Sequence, residues 1–123
     1  MFKADITIDD KPGKADLLVD INNTNTINML VIEIDDYSDL STATITYDLK
    51  TTAGASVDTG SFTFDSSVRK KNKLYYLFKA TLAHTVSLSE NTKYYLDITL
   101  SYDSKQGKWE NLRVNPIKRQ MRA

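Results

Sequence analysis

Tyr94-Tyr95-Leu96-Asp97-Ile98-Thr99-Leu100-Ser101-Tyr102 alternates without a break. Tyr94, Leu96, Ile98, Leu100 and Tyr102 take one side, and Tyr95, Asp97, Thr99 and Ser101 take the other. A pleated strand sorts side chains this way because successive Cβ atoms point to opposite faces. A helix would scatter the same apolar residues around its surface. The stretch is therefore predicted to be a strand with one face in a core.

The same period of two continues outward from it. Phe2 to Ile8 and Ala15 to Ile21 read as strands separated by the turn Asp9-Asp10-Lys11-Pro12-Gly13, in which Pro12 fixes φ and Gly13 permits a positive φ. The polar turn Asn22-Asn23-Thr24-Asn25 leads into a strand over Thr26 to Asp35. Thr42 to Leu49 places Ala43, Ile45, Tyr47 and Leu49 on one face, and Ala53-Gly54 then turns the chain. Gly60 to Phe64 brings Phe62 and Phe64 together. Lys73 to Leu82 aligns Leu74, Tyr76, Phe78, Ala80 and Leu82. Lys108 to Val114 comes last, entered through Ser104-Lys105-Gln106-Gly107. One helical turn fits near Ser87 to Asn91, but no segment carries a longer apolar stripe of helical period. About eight short strands with frequent turn signals predict an all-β, two-sheet antiparallel sandwich, with a small closed barrel as the alternative. Residues 1–115 form the predicted domain. Pro116 cannot donate to a sheet ladder, so 116–123 reads as a C-terminal basic arm carrying Lys118, Arg119 and Arg122.

Length and composition agree with one such domain. A chain of 123 residues buries about two-thirds of the surface its unfolded form exposes, enough for a core without staples. There are no cysteines, which removes disulfides and thiolate metal sites and fits a reducing cytoplasm. Met1 to Asp10 carries no secretory signal pattern, and Asn22-Asn23-Thr24 reads as a chance sequon. The longest apolar run, Met29 to Ile32, is far short of the roughly 20 residues that span a bilayer. Net charge is zero, yet residues 1–50 hold ten acids and four bases while residues 51–123 hold six acids and twelve bases. That split argues against nucleic-acid binding, which needs one broad basic face. It suits attraction between copies.

Catalytic chemistry finds little to work with. His84 is the only histidine, so any Ser-His-Asp relay would depend on it, and no nucleophile motif lies near it. Asp35, Asp36 and Asp39 offer hard oxygen ligands of the kind calcium takes. Their spacing is not that of a helix-flanked calcium loop, and an ordinary solvated loop is the expectation. Nothing selects a carboxylate pair for sugar hydrolysis. The expectation is no enzyme, no metal and no cofactor.

Contact residues are easier to nominate. Arg69-Lys70-Lys71-Asn72-Lys73 reads as a solvated hairpin that protects strand ends, or as a docking patch for an acidic partner. In the pairs Tyr75-Tyr76 and Tyr94-Tyr95 one ring must face away from the core, which nominates Tyr75 and Tyr95. Exposed tyrosine is enriched at protein contacts. Trp109 falls off the Leu112/Val114 face unless a bulge intervenes, and so offers either a protein anchor or a sugar-stacking surface.

Asp39-Leu40-Ser41-Thr42-Ala43-Thr44-Ile45, then Lys93-Tyr94-Tyr95-Leu96-Asp97-Ile98-Thr99-Leu100, then a short Gly-containing turn and Leu112-Arg113-Val114 with a basic ending follow in that order. The series resembles small immunoglobulin-like β-sandwich proteins encoded among the structural genes of tailed bacteriophages. Those often carry Asp-Leu-Thr-Gly, where this chain has Ser41-Thr42 in place of Thr-Gly. The likeness spans roughly residues 35 to 119. It implies a non-enzymatic virion part at the tail, baseplate or fibre, or a capsid decoration protein. It also implies assembly in host cytoplasm, oligomeric contacts with other virion proteins, and no membrane or nucleic-acid partner. A carbohydrate-binding module, resting on Trp109 and the tyrosines, is the alternative.

Overall fold

A computed structural model describes residues 1–8, 17–21, 24–83, 88–89 and 92–117. Nine strands make up its regular structure, with no helix among the described residues: β1 (Phe2–Ile8), β2 (Leu17–Asp20), β3 (Asn25–Glu33), β4 (Thr44–Thr51), β5 (Ser56–Ser61), β6 (Thr63–Lys70), β7 (Lys73–Leu82), β8 (Tyr94–Tyr102) and β9 (Lys105–Ile117). The Pro12-Gly13 turn, the Asn22-Asn23 pair, His84, the turn suggested near Ser87 to Asn91, and Lys118, Arg119 and Arg122 lie outside the described residues or largely so.

One sheet runs β1-β3-β7-β6 and the other β2-β9-β8-β4-β5. All pairings are antiparallel except β2 with β9. Lettered in chain order as A, A′, B, C, C′, D, E, F and G, the sheets are A-B-E-D and A′-G-F-C-C′. This is the strand order of an immunoglobulin sandwich, and two separate sheets replace the barrel alternative. Tyr94, Leu96, Ile98 and Leu100 of β8 are buried, as their alternation requires. They meet Ile27, Met29, Val31 and Phe78 of the facing sheet in one apolar cluster.

Tyr94 begins β8, and its hydroxyl accepts the Ser89 N–H at 3.1 Å. Immunoglobulin domains place such a tyrosine two residues before a disulfide cysteine. Leu96 stands at that position here, so packing and a few hydrogen bonds, such as the buried pair between Asp20 of β2 and Asn25 of β3, join the sheets without a disulfide. Tyr94→Phe would strand the Ser89 N–H in a part-buried site. We expect a loss of about 1–2 kcal/mol in urea unfolding; an unchanged midpoint would show that water replaces the bond at no cost.

Several expectations need correction. The stretch Gly60 to Phe64 is not one strand. β5 ends in one sheet at Ser61 and β6 starts in the other at Thr63, so Phe62 alone makes the crossing. Its N–H donates to Ile45 O at 2.8 Å, and its ring meets Tyr47 edge-on at 6.0 Å. The count is therefore nine strands. The β8–β9 turn is Asp103-Ser104, with φ of 47° and 62°, the left-handed pair of a two-residue hairpin. Gly107 lies inside β9 opposite Leu100. A Cβ there would come 3.0 Å from the Phe2 ring and 3.1 Å from Trp109, so glycine makes room for both.

Trp109 does not face out. Between Leu96 and Ile98 the register shifts, with Leu96 opposite Leu112 and Ile98 opposite Trp109. The extra residue in β9 is a bulge. Asn111 there takes φ 57° and donates its N–H to Asp97 Oδ1 at 2.7 Å. Trp109 thereby shares the inward face with Ile98 and packs, half-buried, against the core.

Pro116 does not end the sheet either. β9 runs to Ile117, with Pro116 beside Val19 and Ile117 beside Asp20. Ile117 O accepts the Ile21 N–H at 2.9 Å, so residue 117 faces β2. One residue back, Pro116 turns its nitrogen the other way, beyond the reach of β8, which begins at Tyr94 opposite Val114. The missing donor is not needed there. The domain extends at least to residue 117, beyond the expected boundary at 115.

Candidate protein-docking end of the sandwich

Strand direction decides which loops share an end. β3, β6 and β8 finish, and β1, β4, β7 and β9 begin, at the same end of the sandwich. Met1, the 34–43 loop and the two-residue turns Lys71-Asn72 and Asp103-Ser104 therefore lie together. The most exposed large apolar side chains among the described residues are Met1 (65 %), Tyr37 (55 %) and Leu74 (37 %). All three belong to this end.

The acidic loop is shaped by its own carboxylates. Asp36 Oδ1 accepts the Ser38 hydroxyl at 2.6 Å and the Ser38 N–H at 3.2 Å. Its Oδ2 meets Lys105 Nζ at 3.0 Å. The Ser38 bonds and the Lys105 ammonium hold its carboxyl down to about 2. Asp39 accepts the Ser41 N–H at 2.9 Å, which lowers its carboxyl too. Buried Glu33 accepts the Asp35 N–H at 2.7 Å and the Met1 ammonium at 2.9 Å. That ammonium also reaches Asp35. Tyr37 caps the turn in a left-handed conformation, φ 51°, with its N–H on Glu33 O at 3.0 Å. These carboxylates build turns and ion pairs. Among the described residues no three metal-ligating side chains converge.

The basic hairpin is different. Arg69, Lys70, Lys71 and Lys73 are exposed, and none has an ion pair among the described residues. Lys71 and Asn72 take φ of 50° and 65°, so the strands close in a tight two-residue turn that holds four cations together.

The outer face of the β1-β3-β7-β6 sheet continues from this end. Leu30 pairs with Leu77, Val68 with Tyr75, and Ile32 with Lys3. Leu30, Ile32, Val68, Tyr75 and Leu77 stand apart from the cluster between the sheets. Ile32 is only 2 % exposed, although it points outward, and the others are half-buried. An antiparallel sheet with one solvated face normally alternates apolar with polar. Met29-Leu30-Val31-Ile32 and Leu74-Tyr75-Tyr76-Leu77-Phe78 instead run on unbroken.

Of the contact residues nominated from the sequence, Asp35, Asp36, Asp39, Arg69, Lys70, Lys71 and Tyr75 come together at or beside this end. Tyr95 does not join them. It is half-buried on the outer face of the other sheet, between Lys50 and Arg113. Tyr37, Leu74, Leu30, Ile32 and Leu77 were not nominated; the two unbroken apolar runs were the signal for all but Tyr37.

No protein-family model matches the chain, and no curated protein matches it either.

Away from this end, the second sheet carries an open, polar depression on its outer face. It measures about 480 Å³ and is lined by Thr46, Asp48, Thr59 and Asp97, among others. Its carboxylates are already engaged. Asp97 meets Lys50 Nζ at 2.6 Å besides Asn111, and Asp48 accepts the Ser56 hydroxyl at 2.7 Å.

Proposed function

We propose that this domain is a non-enzymatic structural or adaptor protein that docks other proteins through the end carrying Tyr37, Leu74 and the two charged loops. The observation that carries the reading is the gathering of Met1, Tyr37 and Leu74 at that end, beside four exposed cations and next to the apolar rows of the first sheet. Apolar anchors inside a polar rim are what a protein contact requires. Together with the resemblance described above, this favours a component of a tailed-phage particle, at the tail, baseplate or fibre, put together in host cytoplasm. Trp109 lies against the core, so the stacking surface a sugar-binding reading needs is missing from it.

Lysine-reactive cross-linking of particles that contain the chain tests the proposal. We expect the protein as a fixed component, with cross-links to neighbours from Lys70, Lys71 and Lys73. Its absence from washed particles would refute the virion role. Cross-links confined to the opposite end would refute the docking surface.

A further inference from the structure

We infer that this end is self-complementary and pairs with the same end of a second copy about a two-fold axis, the 69–73 hairpin of each copy meeting the 35–39 loop of the other. This rests on the docking role proposed above and names its partner.

The two charge clusters sit on different loops of one end. The hairpin closes β6 and β7 at the edge of the first sheet. The acidic loop leaves β3, nearer the centre of that sheet, and crosses to β4 in the second. Lys105 and the Met1 ammonium offset part of the acid, while Asp39 meets no cation among the described residues. The hairpin cations have no ion pair among the described residues, so the hairpin's positive charge and the Asp39 carboxylate are left without a local counterpart. Leu74 marks the boundary: it pairs with Arg69, and continuing the β3–β7 register past Val31 and Tyr76 places it beside Glu33. An isologous contact needs a patch whose two halves complement each other on rotation. Acid on the 35–39 loop, base on the 69–73 hairpin, and the exposed side chains of Tyr37 within the first and Leu74 beside the second meet that condition. Rim charges set specificity and salt dependence, and the two apolar side chains supply contact area.

Sedimentation equilibrium with charge-reversed chains tests this. Wild type should be a dimer at low salt, its dissociation constant rising about tenfold or more between 50 and 500 mM salt as the rim is screened. Lys70→Glu with Lys71→Glu cancels the hairpin's net positive charge, since Arg69 and Lys73 remain, and Asp35→Lys with Asp39→Lys turns the 35–39 loop net basic. Each double variant alone should be monomeric, and a one-to-one mixture should restore a heterodimer. Melting curves of each variant confirm folding, and because the hairpin is solvent-exposed the lysine pair remains interpretable if the aspartate pair is unstable. A monomeric wild type at millimolar concentration, or reversals that leave the dimer intact, would overturn the inference. If wild type is monomeric but particle cross-links still map to Lys70 and Lys71, the docking role stands and the partner is another protein.

Discussion

Phe78→Ala is expected to cost about 3–5 kcal/mol of folding stability. Phe78 is the bulkiest side chain among those with almost no exposure. It sits mid-strand in β7, opposite Met29 on one side and Phe64 on the other, with its ring 5.5 Å from that of Phe64. Strands flank it on both sides and a second sheet faces it, so the backbone has little room to close over the gap. Domains of this size usually hold only about 5–15 kcal/mol in reserve, and the variant would lose a large share. Urea unfolding with an unchanged slope and a much lower midpoint is the expected record. A loss under about 1 kcal/mol would mean that the two sheets can slide together at this point.

Gly60→Ala is expected to cost about 3 kcal/mol, a large effect for one methyl group. Gly60 lies opposite Tyr47, whose ring extends across it. A Cβ there would fall 2.6 Å from Tyr47 Cε2 and 2.9 Å from its hydroxyl oxygen. The ring cannot retreat freely. Phe62 packs edge-on against it, and its hydroxyl donates to Asp58 Oδ2 at 2.6 Å. Burial, with the Asp58 carboxylate, keeps that phenol protonated well above its ordinary range. Overpacking of this kind costs about 1–3 kcal/mol, and a displaced buried hydroxyl adds about 1–2. The two residues should be coupled. In a Tyr47→Leu background the alanine should cost less than about 1 kcal/mol, whereas equal costs in both backgrounds would show that the clash is not with the ring.

How much of this was legible in the sequence follows from where each signal resides. β8 and β4 were readable because each puts one face wholly in the core, which makes alternation sharp. β5 and the far half of β6 were not. They are edge strands with polar outer faces, and the sheet change at Phe62 carries no mark beyond one aromatic. The turns Lys71-Asn72 and Asp103-Ser104 contain no glycine, and the bulge at Asn111 reversed the inferred side of Trp109. Leu74 shares its parity with Tyr76 and Phe78, so alternation assigns it to the core; it is exposed because the hairpin reaches past the facing sheet. The proposed docking end is the plainest case. Its acidic and basic runs lie more than 25 residues apart in the chain, and only the shared direction of β3 and β6 brings them to one end.

The parallel pairing of β2 with β9 also bears on how the domain carries load. β1 enters at the acidic end, and β9 leaves at the other, roughly 40 Å away for a strand of 13 residues. Tension along that axis draws β1 and β9 lengthwise past their neighbours instead of peeling them one bond at a time. The hydrogen bonds of β1 to β3 and of β9 to β2 and β8 then resist as a group, and Pro116 leaves that shear seam intact because its nitrogen faces away from β2. A domain strung this way can serve as a stiff link in a structure that is pulled.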